Sequence, residues 1–206
     1  MRPVPDLSWD HNAHYRPLLL RALPSRCDRV LDAGCGAGDL AAVLAGRAAR
    51  VDAVDRSPEM VALARARVPA GVRVTRADVL EHPLPPGGYD AVVGSAVLHH
   101  LALEEALTAF AAALRPGGVL AMLALPRADL PRDLPVEVAA AVLDRVVGLS
   151  RVLRGRRDAP TPGMPLRDPE LTVREVRRRA AAVLPGVRVR RLLFWRYLLV
   201  WRRPGG

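Results

Sequence analysis

Residues 30–38 read Val30-Leu31-Asp32-Ala33-Gly34-Cys35-Gly36-Ala37-Gly38, a buried-strand run that passes into a turn with three glycines. Glycine is required in such a turn because tight turns demand positive φ and because a side chain would hold a ligand away from the backbone. The helix that follows points N–H groups at polar or anionic ligand atoms. Asp55 closes the next strand run, Val51 to Val54, 17 positions after Gly38. A carboxylate there can accept hydrogen bonds from both hydroxyls of a ribose. A dinucleotide fingerprint starting at Gly34 would need glycine at position 39, where the chain has Asp39, and a carboxylate at that point repels a pyrophosphate. A phosphate-binding Gly-Lys-Ser/Thr loop is excluded, since the chain has no lysine.

Working outward, residues 29–125 alternate strand and helix signals. Strands are expected over 30–33, 51–54, 72–75, 89–94 and 119–125. Helices are expected over 40–48, from Ser57-Pro58 to Val68, and from Leu103 to Leu114, the last stopped by Arg115-Pro116-Gly117-Gly118. This order predicts a parallel sheet with helices on both faces. Beyond residue 125, apolar residues at helical spacing predict an amphipathic helix over 136–153, then a Pro-rich loop over 154–169. Thr172-Val173-Arg174-Glu175 has capping-box spacing and opens a helix to about Leu184. The runs 187–193 and 197–201 predict an antiparallel hairpin. A helix over 10–23 is expected, with Pro17 near its start or at a kink.

The 206 residues have a mean hydropathy of +0.11 and are half apolar, which excludes a disordered chain. No apolar run approaches the roughly 20 residues of a membrane span. The N-terminus lacks the apolar core of a secretory signal, and Cys27 and Cys35 are too few for a disulfide framework. The reading is a cytosolic, soluble, cytoplasmic protein. All 31 basic residues are arginine, and the net charge is +10. Residues 1–150 hold 16 arginines against 17 acids, and residues 151–206 hold 15 against 4. The basic excess therefore lies entirely in the last quarter.

With these features assembled, the sequence resembles the class I S-adenosylmethionine-dependent methyltransferases. Residues 30–38 resemble the family's first motif, and Ala53-Val54-Asp55-Arg56-Ser57-Pro58-Glu59-Met60 its second. Ala77-Asp78-Val79 is similar to the end of its third strand. Residues 89–93 with Leu98-His99-His100-Leu101 are similar to its fourth strand and turn, and Leu114 to Gly118 to the turn before its fifth. The likeness is closest to the small-molecule, type 11/12-like group that includes quinone methyltransferases. It implies an α/β fold with a Rossmann-like seven-stranded mixed sheet, order 3-2-1-4-5-7-6 with the last strand antiparallel. It also implies a single domain over 1–206. That domain divides into an N-terminal helical cap (1–25), a cofactor core (26–125), a helical insertion (126–170), and a C-terminal helix and hairpin (171–206).

The resemblance implies S-adenosyl-L-methionine as cofactor, held by Asp32, Gly34, Cys35, Gly36, Gly38, Asp55, Arg56, Met60, Asp78, Val79 and Ser95. Asp55 would take the ribose, Asp78 and the Val79 amide the adenine, and Asp32 the amino group or the loop. Methyl transfer is then an in-line displacement that the protein serves by alignment. His100, His99, His14 and Tyr15 are the candidates for deprotonating an acceptor. His11 and His14 lack a third ligand, so no metal site is expected. The acceptor is read as a small molecule, anionic or aromatic, attacked at oxygen, nitrogen or carbon. Two alternatives stand beside it. One is an RNA methyltransferase using the basic C-terminal region, although the sequence has few aromatics for base stacking. The other is a non-methylating relative that only binds the cofactor.

Overall fold

The computed structural model describes residues 7–155 and 167–205. Seven strands form one sheet: β1 (Cys27–Ala33), β2 (Ala48–Asp55), β3 (Val72–Arg76), β4 (Tyr89–Ser95), β5 (Leu114–Ala124), β6 (Arg188–Leu192) and β7 (Arg196–Arg202). Their order is β3-β2-β1-β4-β5-β7-β6, as expected from the resemblance. The first five strands run parallel, and β7 is antiparallel to both β5 and β6. The α-helices among the described residues are α1 (His11–Ala22), α2 (Asp39–Leu44), α3 (Pro58–Arg67), α4 (Leu103–Ala113), α5 (Leu134–Leu153) and α6 (Val173–Val183).

Central strands buried on both faces must be apolar throughout, and β4 is buried from Tyr89 to Gly94. One face of the sheet carries Val92, Leu120 and Met122 against Leu103, Leu107 and Phe110 of α4 and Val176 of α6. The other carries Ala91, Val93 and Leu123 against Leu19 of α1, Leu40 and Leu44 of α2, and Ala64 of α3.

Local signals fix several ends. Ser57 accepts the Met60 amide and caps α3, with Pro58 in the first turn. Thr172 and Glu175 form a complete capping box on α6. Other expectations need correcting. The Arg115-Pro116-Gly117-Gly118 stretch lies inside β5, with a register shift against β4, instead of forming a turn ahead of it. Helix α2 has only 6 residues, because the chain turns at Ala45 into β2. Of the two places expected for Pro17, the start of α1 is excluded, since it sits mid-way along the 12 residues of the helix. Most of the expected Pro-rich loop, residues 156–166, lies outside the described residues.

Much of the arginine excess has structural work. Arg179 pairs with Glu104, and Arg191 binds both Asp133 and Glu137 at 2.5 Å. Arg203 hydrogen-bonds the terminal carbonyls of α4, including Ala111 and Ala112 at 3.2 Å.

Helix α5 lies across the edge of the domain with its acids turned inward. Glu137 reaches Arg191 and the Trp195 indole, and Asp144 accepts from Trp9 at 2.8 Å and meets His11 at 2.7 Å. Leu7 crosses Gly148 so closely that an added Cβ there would collide with the Leu7 backbone.

Candidate functional site

Where parallel strands end, their carboxyl edges leave a crevice. Here a cavity of about 670 Å³ opens beyond β1, β2, β4 and β5. It is lined by Asp32, Gly34, Cys35, Gly36, Asp55, Arg56, Met60, Asp78, Val79, Ser95, His99 and His100. These are the residues expected from the sequence, with three exceptions. Gly38, His14 and Tyr15 are not on its walls.

The glycine turn is held by Asp55. Its Oδ2 accepts the Gly36 amide at 2.8 Å and its Oδ1 the Ser57 amide at 2.9 Å. The carboxylate is thus fixed by two backbone donors, and each oxygen keeps a lone pair for a ligand. Gly34, Gly36 and Gly38 all have positive φ. A Cβ on Gly34 would run into Val97, and one on Gly38 would meet Val68 at 2.8 Å. Glycine at 34 and 38 therefore answers to packing of the turn on Val97 and on α3, and this packing excludes Gly38 from the cavity. Ala96, at φ 57, supports the arrangement by turning the chain so that Val97 sits under Gly34.

Asp32, at the end of β1, is 1% exposed, and neither carboxylate oxygen meets hydrogen-bond geometry with a described partner. Burial first, and the charge of Asp55 second, raise its pKa to about 7; the Ala41 amide and Arg16 offset this only in part. Such a group asks for a cation from the cavity. Asp78 is held differently, because its Oδ1 accepts the Leu80 amide at 3.0 Å. The Cys35 thiol is pushed well above its ordinary pKa by burial and by Asp32 and Asp55, so it is an inert wall.

His99 and His100 form a 3₁₀ turn after β4, with ring centroids 4.2 Å apart. Both Nδ1 atoms are buried without a partner among the described residues. Burial, then His100, Arg196 and Arg167, push the His99 pKa down to about 4. His100 is also lowered, by burial and then by Arg56 and Arg167. Both rings are neutral near pH 7, so each can accept a proton. Tyr15 is instead buried and donates to the Leu193 carbonyl at 2.9 Å. His14 packs edge-on to Trp9, Tyr15 and Phe194.

The structure adds walls that the sequence did not announce: Trp9, Asp10, Asn12 and Arg16 from the start of α1, then Arg167 and Arg196. Arg196 donates through Nε to Asn12 at 2.9 Å and through Nη1 to the Phe194 and Trp195 carbonyls. Its Nη2 has no hydrogen bond and its guanidinium no carboxylate within 4.0 Å among the described residues. Burial lowers its pKa to about 10. Phe194 and Trp195, at φ 53 and 56, lie in the three-residue turn, residues 193–195, that delivers Arg196. Aromatic residues at positive φ are strained by about 1–3 kcal/mol each. Packing of Phe194 on Trp9 and the Trp195–Glu137 hydrogen bond hold them there. The only clue in the sequence was that Asn12 is the chain's single asparagine.

Comparison with known proteins follows this geometry. A methyltransferase-domain family profile matches residues 30–118. An uncharacterized methyltransferase of Mycobacterium tuberculosis (strain ATCC 25618 / H37Rv) is 37% identical over 97% of this chain and 99% of its own length. The demethylmenaquinone methyltransferase of Thermus thermophilus is 39% identical, over 59% of this chain and 56% of that protein. Among solved structures, a complex of DhpI with SAH superposes at a TM-score of 0.63, with 24% identity over 94% of this chain and 84% of that one. The PH0226 protein of Pyrococcus horikoshii gives 0.65, with 18% identity over 96% and 93%.

Proposed function

The chain belongs to the class I S-adenosylmethionine-dependent methyltransferases, and from that premise we propose that it methylates a small anionic acceptor held between Arg196 and the histidine turn. The observation that carries the cofactor half is the buried, unpartnered Asp32 carboxylate sharing a cavity with Asp55. The residues fit the cofactor's chemistry. Asp32 complements an ammonium group, the free lone pairs of Asp55 complement a ribose diol, and Met60 and Val79 offer apolar contact to a base. When bound, S-adenosylmethionine supplies a methyl group on a sulfonium, which leaves readily without activation by the protein.

The chain's own contribution is alignment and proton handling. Binding an acceptor beside the cofactor converts a bimolecular displacement into an oriented one. His100 is the better-matched proton acceptor of the pair, because the deeper depression of His99 makes it the weaker base. Arg196, which feels the Asp10 carboxylate but has no acid within salt-bridge distance among the described residues, and whose Nη2 makes no hydrogen bond among them, supplies a charge-assisted donor for a carboxylate or similar anion. Two of the relatives are named for quinone biosynthesis, the demethylmenaquinone enzyme and the ubiquinone biosynthesis O-methyltransferase of Xylella fastidiosa, which supports a small-molecule acceptor. Titration calorimetry with S-adenosylmethionine and with its demethylated product tests the cofactor half, and absence of binding by both overturns it. A screen of anionic and neutral phenols and carboxylic acids tests the acceptor half, and turnover confined to neutral compounds overturns that.

A further inference from the structure

Helix α5 is inverted. An amphipathic helix on a globular domain normally turns its apolar stripe to the core. In α5 the polar residues Glu137 and Asp144 face the protein, while Leu134, Val138, Val142, Val146, Leu149 and Leu153 point outward at steps of three and four. Val142 is 57% exposed and Leu153 78%. Leu130, just before the helix, extends the stripe at 62%. The 20 residues of α5 make this a continuous apolar ridge about 30 Å long. Monomeric soluble domains rarely leave so large an apolar patch uncovered.

The charges around the ridge have one sign. Among the described residues the acids of α5 and its approach have partners: Asp129 meets Arg174 at 3.9 Å, Asp133 and Glu137 bind Arg191, and Asp144 meets Trp9 and His11. The exposed charged residues on the helix and at its ends are Arg132, Arg145 and Arg154. We propose that the outward face of α5 docks on the surface of a bilayer carrying anionic headgroups. An apolar face bordered by arginines suits that interface, where the ridge enters the acyl boundary and the guanidiniums meet phosphates. Self-pairing of two such ridges fits worse. Antiparallel pairing about the helix centre brings Arg145 near its own copy, and no exposed acid of the described helix is available to neutralise it. No described helix is long and apolar enough to cross a membrane, so α5 lies on the surface. Trp9 lines the cavity and donates to Asp144 on the inner side of α5, so the helix that carries the docking face packs on a wall of the cavity.

Vesicle co-sedimentation of the whole chain tests this without cofactor or turnover, so its outcome is separate from that of the methyl-transfer reading. The chain is expected to sediment with vesicles of equal parts phosphatidylcholine and phosphatidylglycerol, less as salt rises, and not with phosphatidylcholine alone. The Val142→Glu/Leu149→Glu double variant is expected to weaken sedimentation at least about tenfold with no loss of melting temperature. No binding to the mixed vesicles, or equal binding by the double variant, overturns the proposal. So does a dimer in light scattering that the double variant splits, since a second copy then covers the face. A large drop in melting temperature for the double variant also overturns it, because the ridge is then already packed by the chain's own residues.

Discussion

Asp55 lies close enough to Asp32 that its charge adds to burial in keeping the Asp32 carboxyl protonated up to about pH 7. Two carboxylates thus face one cavity, with Asp55 fixed by backbone amides and Asp32 without a well-formed hydrogen bond among the described residues. That asymmetry makes Asp32 the position where ligand binding and stability oppose each other.

In the absence of ligand, the folded chain holds the Asp32 proton to about pH 7, whereas the unfolded chain releases it near 3.8. The folded state binds more protons between those values, so the Asp32 contribution to stability falls as pH rises from 3.8 to 7. Asp32→Asn removes that penalty. It is expected to stabilise the ligand-free protein at pH 8 by about 1–3 kcal/mol and to change little near pH 4. The same change should weaken S-adenosylmethionine binding more than about tenfold. Denaturation at the two pH values, beside calorimetry, reads both effects.

Asp55→Ala deletes the acceptor for the Gly36 and Ser57 amides along with the ribose contact. More than about tenfold loss of affinity for the demethylated cofactor is expected by calorimetry. Unchanged affinity would remove Asp55 from the site.

His99 shows the opposite pH behaviour. The unfolded imidazole takes up a proton near pH 6.5, the folded one near 4, so the unfolded state binds more protons in between. The His99 contribution to stability should fall as pH drops from 6.5 to 4, by up to about 3 kcal/mol, opposing the Asp32 contribution, which grows over the same range. His99→Asn, which cannot be protonated, should flatten that slope in pH-dependent urea unfolding. An equally steep slope in the variant would assign the acid sensitivity elsewhere.

Arg196→Gln keeps hydrogen-bonding capacity but removes the charge. For an anionic acceptor, kcat/KM is expected to fall about 10–100-fold, mainly through KM, with affinity for the demethylated cofactor unchanged. A loss confined to kcat would point to misalignment instead of acceptor binding.

Thr172 is not on the cavity wall, and Thr172→Ala breaks the capping box on α6; it should lower stability by about 1 kcal/mol in denaturant titration, with cofactor binding untouched.

The glycine turn, Asp32, Asp55 and the histidine pair could be read from the sequence because each sits within a few residues of the strand end that positions it. The caps at Ser57 and Thr172 were legible for the same local reason. Arg196 and Asn12 were not. They meet only because β7 runs antiparallel beside β5 and returns residue 196 to the edge where the parallel strands finish. One arginine among 31 carries no mark of that placement. The direction of α5 was equally hidden. Helical spacing reveals that a helix has two faces, but Glu137 and Asp144 turn inward because of Arg191, Trp195, Trp9 and His11, all more than 50 residues away in sequence.

The antiparallel insertion of β7 also affects synthesis. Until residues 196–202 leave the ribosome, β5 has an unpaired edge and the cavity lacks the wall that Arg196 provides. A nascent chain stalled before that point exposes a strand edge open to intermolecular pairing and has no complete acceptor pocket. Premature termination would therefore yield sticky, inactive fragments in place of partly active enzyme.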